Sequence, residues 1–254
     1  MMEISFKHVA KRALCHFKTM LASVLIALGM AMAAGASAAP SPPPDTLAQR
    51  VAACVACHGK EGSASNHDYY PRIAGKPEGY LYNQLVNFRD GRRHNAAMTY
   101  LIDYLPDDYL REIAAYFANL KLPYPTPKPA TASKATLDWG RQLVTFGDKA
   151  RKIPPCVACH GKALTGVSPA IPGLLGLPHA YLYAQLGFWK NASRHASAPD
   201  CMAQITKNLS WEDIGAAASF LAAQPVPSNA MPAAFNPVKP PLECGSVPAP
   251  GKTP

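Results

Sequence analysis

Leu110, Ile113 and Phe117 recur at three- and four-residue intervals between Pro106 and Leu120, and Ile214, Ala218 and Leu221 do the same between Ser210 and Gln224. Such intervals collect apolar side chains on one face of a helix, so each stretch predicts an amphipathic helix with one buried stripe. Ser210 opens the second with Asp213 in its first turn, the pattern of a capping box. A further helix is predicted from Thr136 or Asp138 through Phe146, with Trp139, Leu143 and Phe146 towards one face, and another from an N-cap at Asp45 into Cys54. At the N-terminus the pattern differs in kind. Lys7, Lys11, Arg12 and Lys18 precede an uncharged apolar run from Met20 to Ala34, and Ala36-Ser37-Ala38 follows. This is the layout of a secretory signal peptide over residues 1–38, cut after Ala38 because Pro40 disfavours cleavage after Ala39. An uncleaved anchor is the alternative, although the second half of the run is Ala/Gly-rich and only weakly apolar.

The predicted helices belong to a repeat. Cys54-Val55-Ala56-Cys57-His58-Gly59 returns unchanged as Cys156-Val157-Ala158-Cys159-His160-Gly161. Pro71-Arg72-Ile73-Ala74-Gly75 matches Pro172-Gly173-Leu174-Leu175-Gly176, and Tyr80-Leu81-Tyr82-Asn83-Gln84-Leu85 matches Tyr181-Leu182-Tyr183-Ala184-Gln185-Leu186. Arg93-His94 matches Arg194-His195, and the closing helices match last. The offset is 102 residues at the cysteines, 101 at the tyrosines and 104 at the closing helices, a drift that small loop insertions produce. Units of this length are tandem domains and not a solenoid. The boundaries expected are 45–120 for the first, 121–135 for a Pro-rich, extended linker, 136–226 for the second and 227–254 for a Pro-rich tail.

Cys-x-x-Cys-His is the attachment sequence of c-type haem. Two thiols three positions apart lie on one helical turn, where each can add to a haem vinyl group, and the histidine after them is held under the iron as an axial ligand. A zinc site would need ligands from both copies, and a redox Cys-x-x-Cys needs no histidine. Two copies in an exported chain therefore predict two covalently bound haem c groups, on Cys54, Cys57 and His58 and on Cys156, Cys159 and His160. Each half alone is small for an independent core; a haem supplies the apolar body it lacks.

Of eight methionines, five lie within 1–38, leaving Met98, Met202 and Met231. Met98 lies 40 residues after His58 and Met202 lies 42 after His160. A thioether is the usual partner of histidine in cytochromes c and raises the potential, so Met98 and Met202 are the predicted sixth ligands. Bis-histidine ligation through His94 and His195 is the rival; the other reading of that pair is a surface or haem-edge position, with Arg93 and Arg194 near propionates. Met231 has no counterpart, and His67 and His179 read as solvated. Pro71 and Pro172 are expected to offer backbone carbonyls to the Nδ1–H of the axial histidines.

The formal net charge is +9, from 25 basic and 16 acidic residues, and removal of the leader lowers it to about +6. A modest basic surface suits an acidic partner protein or an anionic membrane face. No clustered Lys/Arg run supports nucleic-acid binding.

The order of these features, from Cys-x-x-Cys-His-Gly through the Pro-x-x-x-Gly turn, the Tyr-Leu-x-x-Gln-Leu helix and the late Met to the closing helix, resembles the cytochrome c4 family of di-haem class I cytochromes c. Gly147 to Pro155, before the second motif, is also similar. The resemblance covers residues 47–224. It implies an all-α fold of two class I cytochrome c domains related by a pseudo-twofold axis. It also implies a periplasmic electron carrier, soluble or membrane-associated, passing electrons from a quinol-oxidising complex or a dehydrogenase towards a terminal oxidase, and not an enzyme.

Two features depart from that family: the matched Arg-His pairs, and Cys201 with Cys244. Cys15 precedes the apolar run and leaves with the leader, so these are the two mature cysteines outside the haem motifs. In an oxidising compartment they predict a disulfide. The alternative is that Cys201 itself binds iron. That alternative goes with a thiosulfate dehydrogenase-like haem enzyme; a third reading is a cytochrome subunit docked to a dehydrogenase.

Overall fold

Two helices, one near the end of each half, organise the computed structural model of the protein. The residues it describes are Met20 and 45–64, 69–234 and 240–248; the rest of the expected leader with its cleavage site, and His67, lie outside them. Residues Met1–Pro44 and Asp45–Pro254 form separate units. The second unit carries ten α-helices among the described residues: α1 Leu47–Arg50, α2 Ala52–His58, α3 Glu78–Arg89, α4 Ala96–Ile102, α5 Asp107–Ala118, α6 Lys134–Thr145, α7 Val157–His160, α8 His179–Lys190, α9 Cys201–Asn208 and α10 Trp211–Ala223.

The closing helices α5 and α10 bury the stripes predicted for them, Leu110, Ile113 and Phe117 on one, with Ala114 beside them, and Ile214, Ala218 and Leu221 on the other. Helix α3 packs across α5, and α6 and α8 pack on α10. Helix α10 starts with the expected capping box: Ser210 Oγ accepts from Asp213 N at 3.1 Å and the Asp213 carboxylate accepts from Ser210 N at 2.7 Å. Asp213 also accepts from Trp139 Nε1 at 2.8 Å and Arg151 Nη1 at 2.6 Å. Burial alone would raise its carboxyl pKa, but the bonds from Arg151, Ser210 and Trp139 outweigh that and hold it below the usual carboxylate range. Arg151 thus ties the closing helix to the lead-in of the second Cys-x-x-Cys-His, where Asp148 and Ile153 exchange backbone bonds of 2.8 Å.

Two local expectations are corrected. Thr46, not Asp45, caps α1, its Oγ1 accepting from Gln49 N at 3.3 Å; Asp45 instead pairs with Arg50 at 2.6 Å. Helix α6 begins two residues before Thr136, capped by Ser133, and ends at Thr145. Phe146 therefore lies beyond the last turn and is exposed, and the buried face is Gly140, Leu143 and Val144. The fold is all-α as expected, with one small addition: Gly166–Val167 (β1) and Ile171–Pro172 (β2) pair antiparallel, and the tail adds Ala233 beside Val167.

Gly140 sets the α6–α10 crossing. A Cβ there would run into the carbonyl oxygen of Ala216 and the Cβ of Phe220. Backbone cannot yield as a side-chain tip can, so Gly140→Ala should destabilise the second half by about 1–3 kcal/mol. Denaturant unfolding followed by circular dichroism checks this; an unchanged midpoint would refute the close approach.

The halves meet about a pseudo-twofold axis marked by the antiparallel bridge between Arg93 and Arg194. Arg93 donates to Gln84 Oε1 at 3.1 Å in its own half and to Gln185 Oε1 at 2.7 Å in the other. Arg194 does the reverse, to Gln185 at 2.6 Å and Gln84 at 2.8 Å. The linker is pinned as well. Buried Arg72 donates to the carbonyls of Leu122 and Pro123 at 2.7 and 2.9 Å, and its guanidinium lies 3.9 Å over the Tyr124 ring.

Candidate functional site

Each repeated hexapeptide folds as the end of a short helix. Cys54, Cys57 and His58 lie on α2, which His58 terminates; Cys156 is the N-cap of α7, which ends at His160. The shared glycine at the sixth position has a backbone reason. Gly59 and Gly161 sit at φ +78° and +83°, a region L side chains rarely adopt, and turn the chain away from the histidine.

Both histidines are buried, and each Nδ1 donates to the carbonyl expected, Pro71 O for His58 and Pro172 O for His160, both at 2.8 Å. Burial lowers both pKa values. The proline carbonyls oppose this, while Arg93 near His58 and Lys76 near His160 reinforce it. A neutral ring with its proton on Nδ1 leaves the Nε2 lone pair for a metal. None of the four motif cysteines is in a disulfide, so all four sulfurs are available for haem attachment.

A single apolar cavity of about 500 Å³ is lined by all four of these cysteines, both histidines, Met98 and Met202. Met98 is on α4, whose N-cap Asn95 accepts from its amide at 3.0 Å. Met202 is on α9, whose N-cap Asp200 accepts from Ala203 N at 3.0 Å and from Ala196 N at 2.7 Å. Two paired thiols, a neutral imidazole and a thioether on each half, around apolar space, fit haem c. The other candidates stand apart. His94 borders the cavity but is exposed; His195 is exposed and does not line it; His179 is exposed against Tyr183, and Met231 is 45% exposed. Among the described residues no group of three or more His, Cys, Asp or Glu side chains could hold a further metal ion.

Cys201 and Cys244 form the predicted disulfide, with Cα atoms 5.1 Å apart. The tail it anchors reaches the cavity, which Leu242, Cys244, Ser246 and Val247 line. Residues that the sequence did not single out also line it. Lys76 is 5% exposed and donates to Gly173 O at 3.0 Å; burial, then Arg72, pushes its ammonium down to about 7. Trp189 lies beneath Arg194, whose guanidinium is 3.7 Å from the ring centroid. Lys76 has no repeat counterpart to betray it, whereas Trp189 falls where the first half has Phe88, a difference visible in the repeat.

No protein-family model matches the chain. The thiosulfate dehydrogenase electron acceptor of Thiomonas intermedia is 37% identical over 69% of this chain and 80% of its own. Cytochrome c4 of Pseudomonas aeruginosa is 32% identical over 68% of this chain and 84% of its own. Among solved structures, cytochrome c4 from Pseudomonas stutzeri superimposes with a TM-score of 0.57 at 30% identity, covering 69% of this chain and 95% of that one. A thiosulfate dehydrogenase structure from Marichromatium purpuratum gives 0.61 at 30% identity over 68% of this chain, which spans only 36% of that chain. With its duplicated histidine–thiol–thioether cavity, the chain belongs to the cytochrome c4 family, di-haem electron carriers with two covalently bound haem c groups.

Proposed function

We propose that the chain relays electrons in the periplasm through one haem on Cys54, Cys57, His58 and Met98 and another on Cys156, Cys159, His160 and Met202, held in units 45–120 and 136–226. The donor in this reading is a quinol-oxidising complex or a dehydrogenase and the final acceptor a terminal oxidase. The observation that carries it is that both histidines, hydrogen-bonded identically to Pro71 and Pro172, border one apolar cavity with the matched methionines.

Each haem, when bound, supplies a one-electron iron couple. The chain's part is to set that couple and guard it. The thiols anchor the macrocycle, and the proline carbonyls orient the imidazoles and raise their basicity as ligands. The apolar walls would keep water from a bound haem, and the Met98 and Met202 sulfurs, as its remaining protein ligands, would leave no open site for a substrate. Among the described residues no helix is long and apolar enough to cross a membrane. Met98→His and Met202→His should each remove about half of the far-red sulfur-to-iron charge-transfer band of the oxidised protein. A wild-type protein lacking the band would favour His94 and His195 instead.

One observation favours a narrower donor. Relatives at 37% and 35% identity are named as electron acceptors of thiosulfate dehydrogenase, and the disulfide withholds the Cys201 sulfur from iron. Both support a carrier that receives electrons from a sulfur-compound dehydrogenase over one that oxidises thiosulfate itself. Thiosulfate alone should leave the haems oxidised, and thiosulfate with a purified thiosulfate dehydrogenase should reduce them within the enzyme's turnover. Direct reduction by thiosulfate would overturn the carrier reading.

A further inference from the structure

Three buried side-chain atoms have no hydrogen-bond partner among the described residues: Trp189 Nε1, Arg194 Nε and Ser246 Oγ. All three can donate, and all three residues line the cavity. A buried donor left unpaired is costly, so three bordering one apolar cavity call for an acceptor.

Their placement is coherent. Arg194 is 3% exposed and lies flat on the Trp189 ring. Its two terminal nitrogens are spent on Gln185 and Gln84, which leaves Nε–H as the free edge. Next to Gln84, Asn83 Nδ2 donates to Ser246 O at 2.8 Å and fixes the tail beside this cluster. Two further ties hold Ser246: Gly245 N donates to Pro199 O at 2.9 Å, and Cys244 is bonded to Cys201, the neighbour of Met202. The first half has no equivalent among the described residues. Arg93 likewise stacks on Phe88, 4.4 Å from its centroid, but a phenyl ring has no N–H, and no atom of Arg93 is left unpaired and buried.

A planar guanidinium edge, an indole N–H and a hydroxyl, all unpaired and all on residues bordering one apolar cavity, suit an anionic oxygen acceptor, and carboxylates are what such donors bind most strongly. The acceptor chemistry belonging to this cavity is a haem propionate. We infer that Trp189, Arg194 and Ser246 form a propionate cradle for the second haem alone, one of its donors delivered by the disulfide-tethered tail. The assignment rests on the proposed attachment of that haem at Cys156, Cys159 and His160. Trp189 and Arg194 belong to that half, and the tail is bonded to it. The consequence is asymmetry between two otherwise duplicated sites: the second haem's propionate gains buried donors that the first lacks among the described residues, and the haem whose propionate charge is better stabilised is easier to reduce.

The test uses the two-haem holoprotein, with mass spectrometry first establishing that both haems are attached. Ser246→Ala and Trp189→Phe should each lower one of the two midpoint potentials in a spectroelectrochemical titration and leave the other in place. Resonance Raman should show a shifted propionate bending mode, and Ser246→Thr should restore both readouts. Unchanged potentials and propionate modes in both variants would overturn the inference, as would equal shifts at both haems. A wild-type protein lacking haem at Cys156 and Cys159 would instead sink the attachment reading beneath it.

Discussion

A chain carrying Cys156→Ala together with Cys159→Ala should mature with the mass of the polypeptide plus one haem, where the natural chain carries two. The matching change at Cys54 and Cys57 should remove the other. The expectation rests on the thiols being the anchors: without them a haem is held by axial bonds and apolar contact only, and washes out under denaturing mass analysis. The structural loss should be as large as the chemical one. Cys156 and Val157 pack on the cluster of Leu164, Leu175, Leu182 and Leu221, and His160, Met202 and Leu186 border the cavity that the macrocycle fills. Emptying such a space strips contacts from every wall, at a cost that grows with cavity volume. The second half should then be cleaved by protease at far lower concentration than in the natural chain, with the linker around 121–135 cut first. Two haems retained in the double variant, or none, would refute the assignment of one haem per motif.

What can be read from the chain is what its chemistry repeats. The hexapeptide states its function through bonding that allows few substitutes, and a glycine at its sixth position reports a backbone angle. Pro71 and Pro172 are legible as histidine partners because they recur at nearly the same distance from the motif. The closing helices are legible because Leu110 and Phe117, or Ile214 and Leu221, must share a face to be buried. The paired cysteines outside the motifs imply their own bond. What stays hidden is tertiary. Arg72 looks like any surface arginine until it meets the carbonyls of Leu122 and Pro123, which turn a nominal spacer into a fixed strap. Arg93 and Arg194 look from the sequence like haem-edge residues; their terminal nitrogens also cross-link the halves through Gln84 and Gln185. No local pattern could report that, because each bond joins residues about 90 or more positions apart. The two-residue strands at Gly166 and Ile171 are too short for alternation to register. Phe146 misleads because its spacing fits a helix that ends one residue earlier.

Cys244→Ala should destabilise the second half by about 2–4 kcal/mol, the upper value being the chain-entropy figure for a loop of this size. The bond joins residues 43 apart, so its loss restores many conformations to the unfolded tail. The native tail keeps other ties, since Ala233 N donates to Gly166 O at 2.9 Å and Ser246 O accepts from Asn83. These hold part of the geometry and place the expected cost below the full entropic figure. The more telling effect is local. Cys201 is the first residue of α9 and Met202 the second, so releasing Cys244 frees the end of the helix that presents the sulfur. Sulfur is the weaker match for ferric iron, and the oxidised second haem should therefore lose its far-red band at lower denaturant than the first. The natural chain, reduced and alkylated at Cys201 and Cys244 and then reoxidised at its haem irons with ferricyanide, should reproduce the variant's behaviour. Denaturant titrations of the oxidised protein, monitored in the far red, separate the two haems by their midpoints. Coincident loss of both halves of the band in the variant, at the natural chain's midpoint, would show that the disulfide does not hold the Met202 helix.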